Sequence, residues 1–252
     1  MSKLSKKQKW LVAGLLAVAL CFGISPVTGA MHIMEGYLPM GFCILWYVVS
    51  IPFVVWGFIQ LKKSVEANRR NMAIIAMCGA FIFIVSSLKI PSVTGSCSHM
   101  TGTGLGALLF GPAAVSVLSV IVLLFQAILL AHGGITTLGA NTFSMGIAGP
   151  FLSYGIYMLG KKFNFNKKVT VFVACFLGDL FTYCVTAFQL SLAYPSEVGG
   201  FGASFVKFLG VFAPTQLPLA IIEGILSVIV IIALESYAKP EMRSLGFIEQ
   251  EA

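Results

Sequence analysis

The sequence predicts an all-α membrane protein that crosses its bilayer repeatedly. The chain is 58% hydrophobic and only 10% charged, whereas soluble domains carry roughly 25% charged residues. Its mean hydropathy is +0.95. Several windows of about 18 or more nearly uncharged residues follow one another, each long enough for a helix to span hydrocarbon. The formal net charge of +7 comes from Lys and Arg gathered in short hydrophilic loops. That is the pattern of cytoplasmic topology signals, and it argues against a nucleic-acid surface. The six cysteines (Cys21, Cys43, Cys78, Cys97, Cys175 and Cys184) contain no CxxC pair and lie mostly in apolar runs. They read as small core residues, not as a disulfide framework.

The first element is a leader. Lys3, Lys6, Lys7 and Lys9 precede the uncharged core WLVAGLLAVALCFGI (residues 10–24), and SPVTGA follows. With small residues Thr28 and Ala30 before the cut, residues 1–30 are expected to be a secretory signal peptide. As an uncleaved first helix the same core would fall short of a span of about 20 residues, and Pro26 would break it. Cleavage leaves one polytopic membrane domain, residues 31–252, with Met31 at its N-terminus.

Apolar segments then lie at 38–61, 72–90, 104–131, 139–160, 169–194 and 214–238. The basic loops KKSVEANRR (62–70) and KKFNFNKK (161–168), and the tail with Lys239 and Arg243, should all be cytoplasmic. An even number of passes must separate the two loops, so the long third segment is expected to fold as two helices. Gly111-Pro112 ends a short helix that starts near His99, and a second runs from Pro112 to Leu130. The short helix would cover only about 18 Å at 1.5 Å per residue, which is tolerated where protein shields it. The expectation is about seven transmembrane helices, the third short, with the mature N-terminus outside and the C-terminus inside. His99 and His132 then share the outer side with the new N-terminus.

Only three histidines occur: His32, His99 and His132. A mature Met31-His32 start offers the Met31 amine, the His32 amide and the His32 Nδ1, which close a five-membered and a six-membered chelate ring. A fourth nitrogen completes the square plane favoured by Ni(II) or Cu(II) and accessible to Co(II). His99, in GSCSHMTGTG, is the candidate fourth donor, because the small residues around it let the backbone approach closely. Cys97 and Met100 beside it would suit Cu(I), but no second thiol is near. His132, in AHGGITTLGAN, is a ligand, a supporting group behind the ligands, or an interfacial histidine. The residues alone favour the last. Glu35 is a candidate acceptor for a ligand imidazole, which would orient the ring and raise its basicity.

Asp179 and Glu223 lie inside apolar spans. A buried membrane carboxylate costs about 2.5 kcal/mol or more, so each marks a functional position. They suit a proton relay, a permeation path or a docking contact, and Glu223 is expected well away from the metal site. Gln126 and Asn141 are cheaper groups that hydrogen-bond between helices. There is no G-x-x-x-x-G-K-[ST], H-E-x-x-H or G-x-S-x-G motif. The chain therefore reads as a transporter or receptor subunit, not an enzyme.

Three stretches together, MHIMEGYLP, GSCSHMTGTGLGALLFGP and GGITTLGANTFSMGIAGPF, resemble the CbiM family of cobalt transport proteins, which has nickel-specific NikM relatives. The resemblance covers about residues 31–240. It implies a seven-helix substrate-binding subunit of a group I energy-coupling-factor transporter, whose N-terminal Met-His inserts into the bundle from the outside. The ligands it implies fall on Met31, His32 and His99, with Glu35, His132 and Asn141 as possible supports. The implied partners are a CbiQ-like scaffold, a CbiO-like ATPase and a small two-span CbiN-like accessory protein, and the implied cargo is Co(II) for corrinoid synthesis. Ni(II) uptake by the same architecture, a proton-coupled carrier using Asp179 and Glu223, and a metal sensor remain as alternatives.

Overall fold

Pro39 opens the first helix of the bundle, α1 (Met40–Ala67). One stripe of it, Cys43, Trp46, Ser50 and Gly57, is buried, while Ile44, Val48, Ile51 and Val55 on the other side stay more than half exposed. In water such an apolar stripe would be a liability; hydrocarbon is its proper solvent. The computed structural model describes residues 32–88, 90–91, 97–245 and 247. The expected signal peptide and Met31 lie outside the described residues.

After α2 (Arg70–Ser87) the chain forms a two-residue hairpin ladder, β1 (Ile90–Pro91) antiparallel to β2 (Cys97–Ser98). The third helix, α3 (Thr103–Phe110), is only eight residues long. It starts later than expected, because residues 99–102 are tied down by side chains from other helices and do not enter a helical turn. Thr103 through Leu108 are all buried, so a helix too short to cross is sheathed by protein, and its apolar character all round follows. Gly111, at φ 85°, turns the chain into α4 (Pro112–Leu130), with Pro at the first helical position. The long third segment thus folds as two helices.

The next helical run is unbroken from α5 (Leu138–Asn141) through a π-helical stretch (Thr142–Ala148) into α6 (Gly149–Lys162). Asn166 Oδ1 caps α7 (Lys167–Ala193) by accepting the Lys168 amide at 3.0 Å. The last long helix, α8 (Gly200–Tyr237), begins well before the expected residue 214, because Pro214 and Pro218 lie inside it without ending it. A short α9 (Lys239–Ser244) follows. Among the described residues four helices, α1, α4, α7 and α8, are long and apolar enough to cross a membrane. The protein is a multi-pass helical membrane protein.

Charge and chemistry separate along the bundle. At one end, two cavities of about 200 and 310 Å³ share Gln60, Leu109, Phe110 and Leu245, and the larger reaches Lys161. The basic loops 62–70 and 161–168 therefore share this end. Lys167 Nζ holds the tail there, at 2.5 Å from Glu235 and 4.2 Å from the Phe247 ring centre. The three histidines sit at the other end, before α1, after β2 and after α4. A core of Ile33, Leu38, Trp46, Tyr183, Leu190 and Phe212 packs the N-terminal segment against α1, α7 and α8.

Candidate metal centre

Three loops from distant parts of the sequence deliver the histidines to one point. His32 Nδ1 lies 2.8 Å from His99 Nε2 and 2.7 Å from His132 Nε2. The three donor atoms lie within 4.8 Å of one another, and all three rings are essentially buried. A single ring nitrogen has one in-plane direction for a hydrogen bond and cannot serve two partners well. A shared cation can. A metal about 2.0–2.1 Å from each nitrogen sets neighbouring donors about 2.8–3.0 Å apart at right angles and about 3.3 Å apart in a tetrahedron. The two contacts to His32 are short enough for one ion to replace them.

His99 is prepared as a ligand by its own chain. Its Nδ1 stands 2.8 Å from the Met100 carbonyl, which only accepts, so the ring proton sits on Nδ1. The Nε2 lone pair is thereby turned to His32. The His99 backbone is held as well: the Tyr183 hydroxyl donates to its carbonyl at 2.9 Å and accepts its amide at 3.3 Å.

His32 is presented by the residue after it. The Ile33 amide donates to Asn141 Oδ1 at 2.8 Å, while Asn141 Nδ2 donates back to the Ile33 carbonyl at 3.0 Å. Thr137 adds its hydroxyl to the same carbonyl at 2.6 Å. The segment also lies directly on the loop after His132, where Glu35 N donates to the Gly133 carbonyl at 3.2 Å. A Cβ on Gly134 would fall 2.5 Å from Glu35 Cα, so the approach requires glycine there.

The structure thus brings His32, His99, His132 and Asn141 together, and Met31 lies outside the described residues. His132 is not an interfacial histidine; it is 1% exposed and touches His32. Glu35 turns elsewhere, its carboxylate accepting the Thr136 amide at 3.1 and 3.4 Å in place of an imidazole. Hydrogen bonding from Thr136, opposed by desolvation, holds Glu35 below the usual carboxylate range. Glu223 is also not remote: it accepts hydrogen bonds from Thr101 and Gly102, next to His99. Sequence reasoning passed over Tyr183. The available signal was its i+4 spacing from Asp179, which puts both on one face of α7.

A lipid-facing bundle that buries three converging imidazoles defines a membrane protein able to hold a metal ion. The chain belongs to the CbiM family: the family model for the cobalt uptake substrate-specific transmembrane region matches residues 32–242. It is a transporter component and not an enzyme. The cobalt transport protein CbiM of Lachnoclostridium phytofermentans is 66% identical over 245 residues, covering 97% of this chain and 98% of its own. The Nostoc protein of the same name is 52% identical over 248 residues, with 98% and 95% covered. A crystal structure of a transition metal transporter superposes with TM-score 0.71 at 28% identity, covering 81% of this chain and 92% of its own. A truncated transition metal transporter gives 0.70 at 27%, with 82% and 99% covered.

Proposed function

We propose that this chain is the metal-capturing membrane subunit of an ATP-driven energy-coupling-factor importer that takes up Co(II) for cobalamin synthesis. The observation that carries the reading is the convergence of His32 Nδ1, on the second residue of the expected mature chain, with His99 Nε2 and His132 Nε2. Removal of residues 1–30 creates a free amine on Met31. That amine, the His32 amide, His32 Nδ1 and His99 Nε2 would then be the four nitrogens that hold the metal. His132, 2.7 Å from His32 Nδ1, would serve as a further ligand or as a support for His32. Seven spans follow: α1, α2, the partial α3, α4, α5 with α6, α7 and α8. The site end is outside and the lysine-rich end cytoplasmic.

The three imidazoles already converge in the protein, so less ordering remains when the metal arrives. Energy for translocation comes from elsewhere, since the chain lacks a P-loop. A CbiO-like ATPase, a CbiQ-like scaffold and a CbiN-like accessory protein complete the importer. Ni(II) uptake by the same architecture is the second reading, because an all-nitrogen donor set suits either metal. A proton-coupled carrier is disfavoured, because the Glu223 carboxylate is committed to three hydrogen bonds.

Intact mass of the purified protein, followed by titration with Co(II) and Ni(II), tests the proposal. The mass should correspond to a start at Met31, and His32→Ala and His99→Ala should each abolish tight binding. Tight binding by a protein that still begins at Met1 would remove the amine from the ligand set.

A further inference from the structure

The strap that carries His99 is gripped from outside by α7 and α8. Ser98 Oγ meets Thr215 Oγ1 at 2.8 Å, and Gln216 Nε2 reaches the His99 carbonyl at 3.5 Å while also bonding Asp179. Below them the Glu223 carboxylate takes three donors from two consecutive residues. Oε2 accepts the Thr101 amide at 2.5 Å. Oε1 accepts the Thr101 hydroxyl at 2.8 Å and the Gly102 amide at 3.0 Å. Glu223 is 1% exposed. It spans the first free amides before α3, where the helix end favours a carboxylate.

Helix α8 is weakest next to these contacts. Pro214 and Pro218 cannot donate to the carbonyls four residues earlier, so two main-chain hydrogen bonds are missing around Thr215 and Gln216. We propose that Glu223 is the positioning residue for His99, and that it makes α8 the lever through which metal retention at the site is set. This rests on His99 being a ligand. A tilt of α8 about its proline pair would draw on Ser98, His99, Thr101 and Gly102 together. The His99 donor would move while Asn141 and Thr137 still held His32.

On the strap side a carboxylate is needed because all three groups there donate; on the other side Glu223 meets the Asp179 carboxyl of α7. Glu223→Gln keeps one acceptor but sets an amide NH2 against a strap donor, so the strap must shift. Thr101→Val removes one of the three bonds and leaves the two amide bonds in place.

The test uses the full mature chain loaded with Co(II), with release timed by an EDTA chase and the bound metal followed by its visible ligand-field absorption. Glu223→Gln should speed release at least tenfold and shift the absorption band. A merely structural role would lower the folded yield and leave the band of the folded fraction unmoved. Thr101→Val should act in the same direction more weakly, and Thr101→Ser, which keeps the hydroxyl, should restore the parent rate. If Glu223→Gln does not fold, Thr101→Val carries the test, and an unchanged release rate there overturns the proposal. A Glu223→Gln protein within twofold of the parent rate, in a background where His99→Ala abolishes binding, overturns the positioning role and spares the ligand. Intact binding by His99→Ala overturns the ligand reading itself.

Discussion

Asn141→Ala isolates the contribution of the clamp on the N-terminal segment. The wild-type side chain accepts the Ile33 amide at 2.8 Å and donates to the Ile33 carbonyl at 3.0 Å. Truncation leaves the carbonyl its bond from Thr137 but strips the amide of its partner, and Ile33 is 1% exposed. An orphaned buried donor costs about 1–3 kcal/mol. The segment can avoid that cost by undocking, so the penalty appears as a smaller docked fraction and a weaker apparent affinity. At about 1.4 kcal/mol per tenfold, the expected loss in Co(II) affinity is roughly 5- to 150-fold. Isothermal titration of the purified variant reads this directly. Asn141→Asp should do no better, because it places a second oxygen opposite the Ile33 carbonyl. A folded Asn141→Ala protein that binds Co(II) within twofold of the parent would refute the claim that docking of Ile33 presents His32.

Gly134→Ala should weaken metal binding by about tenfold or more, since the added carbon would fall 2.5 Å from Glu35 Cα and push the segment off its loop; equilibrium titration checks it. Glu35 is held below its ordinary value of 4.5, so its hold on Thr136 is present above that pH and is lost as pH falls through the lowered value. Accordingly, Glu35→Gln should flatten the acid limb of a melting-temperature profile below about pH 4.5, and an unchanged acid limb would count against that contact. A cysteine at the exposed Asn164, in a background without the six native cysteines, should resist an impermeant reagent in intact cells. Labelling there would put the lysine-rich end outside.

The basic loops and Gly111-Pro112 were enough to require two helices in the segment 104–131, because charge sets which side a loop occupies and proline sets where a helix begins. The Met31-His32 pair was readable as a potential chelate for a similar local reason, because adjacent backbone and side-chain atoms belong to two neighbouring residues; His99, 67 residues from His32, was nominated only by the small residues around it. His132, Tyr183 and Glu223 were not legible in that way. His132 is 100 residues from the atom it touches, and Glu223 is 122 from Thr101. No periodicity or spacing relates such pairs. Their meeting depends on how α4, α7 and α8 pack around the short α3, and on two prolines that α8 absorbs without ending. Local chemistry determined which residues are able to bind a metal; only the packing of the helices decided which of them meet, and from which helix they are held.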